Sequence, residues 1–221
     1  MKIKMNHVFK PAGEKLQFVG DFESLYKSED DPWEQSGETG KMGLYYTHSR
    51  GRLCTQLKKI NPGTLLEIGS GLGYKLNVIQ KHFPDCRGTG MDISQTATER
   101  ATKLFPHLDF IVGDIKAPDL NYFNLEEEYD VVILSQLLWY VLEDLPQVFE
   151  NCLSALSTNG KLVICQAFLK APQKYGKNIC DGFEGLLQIL KNSKLNVEYC
   201  HLDDSDSFIH NDGIVILSRK Q

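Results

Sequence analysis

From residue 64 onward, short apolar runs alternate with windows in which apolar residues recur at helical spacing. The runs, which we predict to be β-strands, occupy residues 64–68, 87–91, 108–112, 130–134 and 161–165. Between the first two runs, Leu76, Ile79 and Phe83 recur as on one face of a helix. Because strands that alternate with helices are joined by long crossovers, this order predicts a parallel sheet.

The last forty residues have a different pattern. Apolar residues from Phe183 to Leu190 predict one more helix, residues 195–199 alternate like a half-exposed strand, and residues 214–217 are continuously apolar. The loop between the last two runs is short and polar, so the simplest pairing of these strands is an antiparallel hairpin. The sequence therefore predicts a parallel sheet that is closed by one terminal hairpin.

Residues 1–50 fit neither pattern. They contain the segment Asp31-Pro32-Trp33 and a helical start near Tyr45, with Leu53 and Leu57 on its inner face. A linker would carry fewer aromatic residues, so we expect a helical cap that folds over the edge of the sheet. We call residues 1–50 the cap, or lid, and expect residues 51–221 to form the main domain.

Charge and hydropathy exclude several classes of protein. The 221 residues include 24 Lys plus Arg and 29 Asp plus Glu, and the positive residues are scattered. Nucleic-acid affinity comes from clustered Lys and Arg, so no nucleic-acid partner is expected. The longest apolar stretch, 131–142, is shorter than the ~20 residues that span a bilayer. The first ten residues lack the apolar segment of a secretory signal, so we expect no membrane partner and a cytoplasmic protein.

Six cysteines, at positions 54, 86, 152, 165, 180 and 200, are spread along the chain. They form no Cys-x-x-Cys pair and no Cys/His spacing typical of metal ligands. In a chain without a secretory signal, such residues are expected to be reduced thiols, mostly in the core. We therefore predict no metal site.

A glycine-rich loop, Glu67-Ile68-Gly69-Ser70-Gly71-Leu72-Gly73, lies between the first predicted strand and the first helix. Glycines there let the backbone turn tightly and let a ligand approach N–H groups at the start of a helix. The dinucleotide fingerprint requires its third glycine one position later, where this chain has Tyr74. The spacing therefore favours a nucleoside ligand without a pyrophosphate, and disfavours a nicotinamide dinucleotide.

Two acidic residues follow the next two strands. Asp92 ends the second strand, where an acceptor for ribose hydroxyls would stand, and Asp114 ends the third, where it could accept a hydrogen bond from the amine of an adenine. Because ligands bind at the carboxyl ends of parallel strands, the glycine loop and both carboxylates should meet in one pocket.

The glycine loop, Asp92, Gly113-Asp114 and the segment 129–134 together resemble the class I S-adenosylmethionine-dependent methyltransferases, over residues 60–220. The resemblance implies an α/β, Rossmann-like sheet of seven strands with helices on both faces, and S-adenosyl-L-methionine as the cofactor. It implies that Gly69 and Gly71 bed the cofactor, Asp92 holds its ribose and Asp114 its adenine amine. The full set of cofactor-binding residues that it implies is Glu67, Gly69, Ser70, Gly71, Asp92, Ile93, Asp114, Ile115 and Ser135.

The segment that follows the fourth strand is where such enzymes face the methyl donor and the acceptor. It reads Ser135-Gln136-Leu137-Leu138-Trp139-Tyr140 and lacks the NPPY-type tetrad used on the amines of bases, so base methylation is disfavoured. Gln136, Trp139 and Tyr140 are candidate acceptor residues, because aromatic faces suit a sulfonium or an amine. The alternative is that Trp139 and Tyr140 only pack the next helix.

The cap shows a second likeness. Residues 19–23 and Asp31-Pro32-Trp33 are similar to the NodS-like N-methyltransferases and to methyltransferases of surface-polysaccharide assembly. This likeness implies a lid that contains Trp33, Tyr46 and Arg50, with Arg50 as a partner for the cofactor carboxylate. Arg50 could equally be a surface charge.

His48 is the histidine nearest the lid in the sequence, and an ordinary pKa near 6.5 suits a general base. We therefore name His48 as the catalytic candidate. The expected function is methyl transfer to an amine or hydroxyl of a small molecule, a class that includes sugars and nucleotide-linked sugars. Two alternatives stay open: a non-catalytic module that binds S-adenosylmethionine and, less favoured, a nicotinamide oxidoreductase. The oligomeric state also stays open, with a homodimer as one option.

Overall fold

A computed structural model describes residues 7–37, 42–118, 125, 128–205 and 210–220 of the chain. In chain order, its strands are β1 (Phe9–Ala12), β2 (Lys15–Phe18), β3 (Thr64–Ile68), β4 (Arg87–Asp92), β5 (Asp109–Val112), β6 (Tyr129–Ser135), β7 (Leu156–Leu169), β8 (Leu195–Asp203) and β9 (His210–Arg219). Its α-helices are α1 (Phe22–Ser28), α2 (Gly43–Ile60), α3 (Tyr74–His82), α4 (Gln95–Leu104), α5 (Leu145–Ala155) and α6 (Gly182–Lys191).

Seven of the described strands form one sheet, in the order β5-β4-β3-β6-β7-β9-β8. The first five run parallel, and β9 pairs antiparallel with both β7 and β8. The predicted fold class, a mostly parallel α/β sheet with a C-terminal antiparallel hairpin, is confirmed.

The sheet is buried on both faces. In β6, Val131 and Ile133 pack into one apolar cluster, and Val132 and Leu134 into the other, because successive side chains of a strand point to opposite faces. All four are at most 2% exposed, as expected for a continuous apolar run in a central strand. Five of the six cysteines are also buried, and Cys200 is exposed.

The cap differs from the helical segment that the sequence predicts. The described part contains the hairpin β1–β2 and the short helix α1 before helix α2 begins. Helix α2 continues to Ile60, so the predicted boundary at residue 50 falls within it. Residues 1–6 and 38–41 of the cap lie outside the described residues. Within the described ranges, no helix has both the length and the apolar character needed to cross a bilayer.

Helix α1 docks on the start of helix α4. The carboxylate of Glu23 accepts hydrogen bonds from the hydroxyl groups of Ser94 and Thr96, both at 2.7 Å, and from the backbone N–H of Thr96 at 3.1 Å. Ser94 also caps α4, accepting from the N–H of Ala97 at 3.1 Å. We name this contact, made by Glu23, Ser94 and Thr96, the Glu23 clamp.

Candidate active site

The loops that follow β3, β4 and β5 meet at one rim of the sheet. The N–H of Gly69 donates to the carbonyl of Met91 at 2.7 Å, and the N–H of Gly113 donates to that of Asp92 at 2.9 Å. Gly69, Asp92 and Asp114 line one cavity of about 640 Å³. This volume lies within the range of sites that enclose small molecules. The three loops therefore meet at one cavity, as the sequence predicts.

Asp92 is the last residue of β4 and is 7% exposed. Its Oδ2 accepts from the N–H of Gly71 at 2.8 Å, and its Oδ1 accepts from the N–H of Ser94 at 2.9 Å. Burial raises the pKa of Asp92, while these two N–H groups oppose that change by stabilising the carboxylate. Each carboxylate oxygen keeps a further lone pair, so Asp92 can still accept from hydroxyl groups in the cavity.

Gly69 and Gly71 of the glycine loop have no room for a side chain. Gly69 has φ +70°, and a Cβ there would lie 2.9 Å from a methyl group of Leu137. Gly71 has φ +55°, and its Cβ would lie 2.6 Å from the hydroxyl of Tyr26 and 2.8 Å from Oε1 of Gln35. Gly71 is therefore covered by side chains of the cap, a contact that the sequence analysis did not predict.

The cap also reaches the loop through Gln35 and Arg50. Oε1 of Gln35 accepts from the N–H of Leu72 at 3.2 Å, and Nη2 of Arg50 donates to the carbonyl of Gln35 at 2.6 Å. The guanidinium of Arg50 lies 5.3 Å from the ring centre of Tyr46 and lines the cavity. Its Nε is buried and has no hydrogen-bond partner among the described residues. Arg50 is thus part of the site and not a surface charge.

An ion pair between Glu67 and Lys75 joins the two ends of the glycine loop. Glu67 is 2% exposed, and its Oε1 lies 3.5 Å from Nζ of Lys75, which also donates to the hydroxyl of Ser135. Burial raises the pKa of Glu67, and the positive charges of Lys75 and Arg50 oppose this shift. Lys75 and Ser135 line the cavity, whereas Glu67 holds Lys75 from behind the wall.

The loop after β6 uses its polar groups on the protein itself. Gln136 has φ +57°, its Nε2 donates to the hydroxyl of Tyr45 at 2.8 Å, and its Oε1 accepts from the N–H of Ala167 at 2.9 Å. The indole N–H of Trp139 donates to the carbonyl of Ala167 at 3.0 Å. Trp139 lines the cavity and also packs on Phe168, so its ring is part of both the cavity wall and the apolar core.

Most of the residues named from the sequence line this cavity. They are Trp33, Tyr46, Arg50, Gly69, Asp92, Ile93, Asp114, Ile115, Ser135, Gln136, Trp139 and Tyr140. Glu67, Ser70 and Gly71 are not among the lining residues, and the side chains of Glu67 and Ser70 are buried.

The structure does not bring His48 to the cavity. Its Nε2 lies 2.9 Å from a carboxylate oxygen of Asp203 and 2.8 Å from Nη2 of Arg52, so it joins α2 to β8. The prediction that His48 serves as the general base is therefore corrected. His48 lies on helix α2 with Tyr46 and Arg50, and proximity in the sequence did not reveal which face of the helix it occupies.

Several residues of the cavity wall were missed by sequence reasoning. They are Phe9 and Phe18 of the hairpin, Gln35, Lys75, Tyr175 and His210. For Lys75 a signal existed, because it stands two residues after the last glycine of the loop, in the first turn of α3. Among the described residues, no group of three His, Cys, Asp or Glu side chains is placed to hold a metal ion.

Comparison with known proteins shows what this chain is similar to. Residues 66–162 match the model of a methyltransferase domain. A malonyl-[acyl-carrier protein] O-methyltransferase of Ilyobacter polytropus is 34% identical over 101 residues, which is 44% of this chain and 35% of that protein. A trans-aconitate 2-methyltransferase of Yersinia pseudotuberculosis is 27% identical over 112 residues, 51% of this chain and 41% of that protein. The chain thus spans less than half the length of these curated relatives.

Solved structures share the fold over nearly the whole chain. The N-methyltransferase NodS from Bradyrhizobium japonicum, in complex with S-adenosyl-L-homocysteine, has a TM-score of 0.64 and 20% identity, covering 90% of this chain and 98% of its own. The magnesium protoporphyrin IX methyltransferase from Synechocystis, with bound S-adenosylmethionine, has a TM-score of 0.66 and 16% identity, covering 90% and 95%. The match to the methyltransferase domain covers less than half of the chain, and the solved structures show that the chain shares the fold of these methyltransferases.

Proposed function

We propose that this protein transfers a methyl group from S-adenosylmethionine to an amine or hydroxyl of a small molecule bound in the same cavity. The observation that carries the proposal is the convergence of Gly69, Asp92 and Asp114 on one cavity of about 640 Å³. When bound, S-adenosylmethionine supplies a methyl group on a positively charged sulfur, which departs as a neutral thioether with the electron pair of the broken bond. The protein then needs mainly to align the acceptor and exclude water.

The residues of the rim fit this cofactor chemically. Asp92 would accept from the ribose hydroxyls, and Asp114 from the amine of the adenine. Arg50 would pair with the carboxylate, because its guanidinium lines the cavity and its buried Nε lacks a partner among the described residues. A largely buried cation with few hydrogen bonds gains most from an anionic partner.

We further propose that the cap, residues 1–50, acts as a lid and that residues 51–221 form the catalytic domain. Trp33, Tyr46 and Arg50 all line the cavity, and Gln35 bonds the glycine loop directly. A cap held in this way would shield bound cofactor from water. Residence in the cytoplasm and a homodimer stay predictions of the sequence.

Cofactor binding is tested by calorimetry on Asp92→Asn. Asn loses the charge but keeps one acceptor oxygen for one of the two backbone N–H groups, so the fold is less disturbed than with Ala. We expect the affinity for S-adenosylhomocysteine to fall by at least tenfold, about 1.4 kcal/mol. The matched control is Asp109→Asn, an exposed carboxylate on β5, which should leave the affinity unchanged. Equal affinities of the two variants for S-adenosylhomocysteine would contradict the proposed contact of Asp92 with the ribose.

Turnover is tested by incubating the protein with methyl-labelled S-adenosylmethionine and a metabolite extract, followed by mass analysis of labelled products. A product that gains one labelled methyl group supports the proposal. Cofactor binding without any labelled product from a broad extract favours the alternative of a non-catalytic binding module. Preference for NAD over S-adenosylmethionine would instead favour the oxidoreductase.

A further inference from the structure

One wall of the cavity is built from aromatic rings of three separate segments. Phe9 and Phe18 of the hairpin β1–β2 contact Tyr140, which follows β6, with ring centres 6.1 Å apart in both pairs. The same two residues contact Tyr175, which follows β7, at 5.1 Å and 5.9 Å. All four residues line the cavity. We name Phe9, Phe18, Tyr140 and Tyr175 the aromatic wall.

The hairpin is fixed in this position by backbone contacts. The N–H of Leu16 donates to the carbonyl of Lys174 at 3.2 Å, and the N–H of Val19 donates to that of Val8 at 2.8 Å. Val8 is 1% exposed. In the sheet order, β7 and β9 lie on the other side of β6 from β4 and β5, which carry Asp92 and Asp114. Tyr175 therefore follows a strand that lies on the opposite side of β6 from the strands that carry Asp92 and Asp114.

Two polar side chains of the cavity already bond within the protein, while Lys174 and the two tyrosines of the aromatic wall also line it. The amide of Gln136 and the indole N–H of Trp139 are engaged with Tyr45 and Ala167, as described above. Around them, Leu169, Ala171 and Pro172 add apolar surface. A sugar would have to bury several hydroxyl groups against this surface, and each hydroxyl without a partner costs free energy. A flat apolar molecule would lose no hydrogen bonds and would gain ring contacts.

His210 is the titratable group at this end of the cavity. It is the first residue of β9, lines the cavity and packs edge-on against Tyr45. Its Nδ1 is enclosed by protein without a hydrogen-bond partner among the described residues, which leaves Nε2 as the nitrogen that a ligand can reach. Burial lowers the pKa of His210, so the ring is neutral at neutral pH and Nε2 can accept a proton.

We propose that the acceptor is a planar, mainly apolar compound with one hydroxyl group, which packs on the aromatic wall and places that hydroxyl on Nε2 of His210. This inference rests on the proposed function and narrows it to oxygen methylation. The hydroxyl proton would move to Nε2 of His210 as a lone pair of the acceptor oxygen forms the bond to the methyl carbon. The bond between that carbon and the donor sulfur would break with its electron pair on sulfur, and the proton would pass to water when the product leaves. His210 is on this view a catalytic residue.

The test uses 2-naphthol as a planar apolar alcohol and methyl glucoside as a sugar, both titrated into the protein saturated with S-adenosylhomocysteine. We expect 2-naphthol to bind at least tenfold more tightly than the glucoside. Phe18→Leu should weaken 2-naphthol binding about fivefold, since an aliphatic side chain loses the ring contact. The matched control is Phe83→Leu, which makes the same change in the apolar cluster on the α2–α3 face of the sheet, outside the cavity.

His210→Gln keeps a polar side chain of similar size that cannot accept a proton. We expect this variant to bind 2-naphthol within threefold of the wild type. It should lose labelled methyl transfer to the naphthol, because the proton leaves the hydroxyl only as the methyl group is transferred.

The outcomes separate the two proposals. If S-adenosylhomocysteine itself does not bind, the proposed function fails. If it binds but the glucoside is preferred, if 2-naphthol does not bind, or if Phe18→Leu is no weaker than Phe83→Leu, this inference is overturned while the proposed function stands. Labelled methyl transfer at the wild-type rate in His210→Gln would overturn the role of His210. Thermal unfolding of each variant, compared with the wild type, verifies that it is folded.

Discussion

Replacing Glu23 by Gln breaks the Glu23 clamp, and the structure indicates how much the free energy of unfolding should fall. The carboxylate accepts three hydrogen bonds from Ser94 and Thr96, and these, led by that from the Ser94 hydroxyl, lower the pKa of Glu23 to about 2 from an ordinary 4.5. Hydrogen bonds to a charged group contribute about 1.5–3 kcal/mol when they are shielded. The Glu23 side chain is 37% exposed, so solvent screening lowers this value. We expect Glu23→Gln to reduce the free energy of unfolding by about 1 kcal/mol at neutral pH.

The stabilisation by Glu23 should decrease as the pH falls. Because the pKa of Glu23 is lower in the folded protein than in the unfolded chain, the stabilisation is complete above the unfolded value of 4.5 and is lost as the pH falls from there toward 2. The difference between the wild type and Glu23→Gln should therefore shrink across this window. A charge effect without hydrogen bonding would be removed by salt at every pH instead.

The assay is the free energy of unfolding from denaturant titrations at several pH values above and below 4.5. Glu14→Gln is the matched control, since Glu14 is exposed in the turn between β1 and β2, and it should match the wild type throughout. Hydrogen exchange of the α1 amides should report the loss locally. A cost of Glu23→Gln that is the same at neutral and acid pH, or no larger than that of Glu14→Gln, would refute the clamp.

Three further substitutions test the fold around the site, each by the free energy of unfolding in denaturant. Gly51→Ala should stabilise helix α2 by about 0.5–1 kcal/mol, because nothing lies within 4 Å of the added Cβ; a loss of stability would contradict this. Gly73→Ala should cost at least about 2 kcal/mol, since φ is +78° and the Cβ would collide with the ring of Phe110. Asp212→Asn should cost about 2 kcal/mol, because Asp212 is 2% exposed, accepts from Tyr45 and Ser49 and faces Arg52; a change below about 0.5 kcal/mol would show that the charge is not needed.

The central sheet could be predicted from the sequence because its signals are local. The run 130–134 is continuously apolar, and the structure has it in β6 with both faces covered. The same applies to the glycine loop, since Gly69 and Gly73 both have positive φ values that other residues rarely adopt. Burial on both faces requires a continuous apolar run and a positive φ favours glycine, so both features can be read from the residue types.

The start of helix α4 shows where local signals fail. Thr96 and Glu99 have the spacing of a capping box, which would place the N-cap at Thr96. The structure instead has Ser94 as the N-cap, while Thr96 binds Glu23 of the cap. The hydroxyl of Thr96 donates to Glu23, which lies 73 residues away in the sequence, whereas the capping-box pattern predicts that it caps the helix. Local spacing cannot reveal such a competitor.

The hairpin β1–β2 could not be predicted for a similar reason. Each strand has four residues, and Pro11 lies within the first, which by itself argues against a strand. A two-stranded hairpin of this size is not stable alone in water. Its position depends on Phe9 and Phe18 packing against Tyr140 and Tyr175, which are more than a hundred residues away.

Cofactor recognition and acceptor recognition are therefore distributed differently along the chain. The segment that matches the methyltransferase domain, 66–162, contains the strand ends that carry Gly69, Asp92, Asp114 and Ser135. The hairpin, Tyr175 and His210 all lie outside it. Similarity within that segment consequently supports a shared cofactor and leaves the acceptor undetermined. Of the aromatic wall, which is proposed to face the acceptor, the family model covers Tyr140 and not Phe9, Phe18 or Tyr175, so the substrate has to be inferred from the chemistry of that wall.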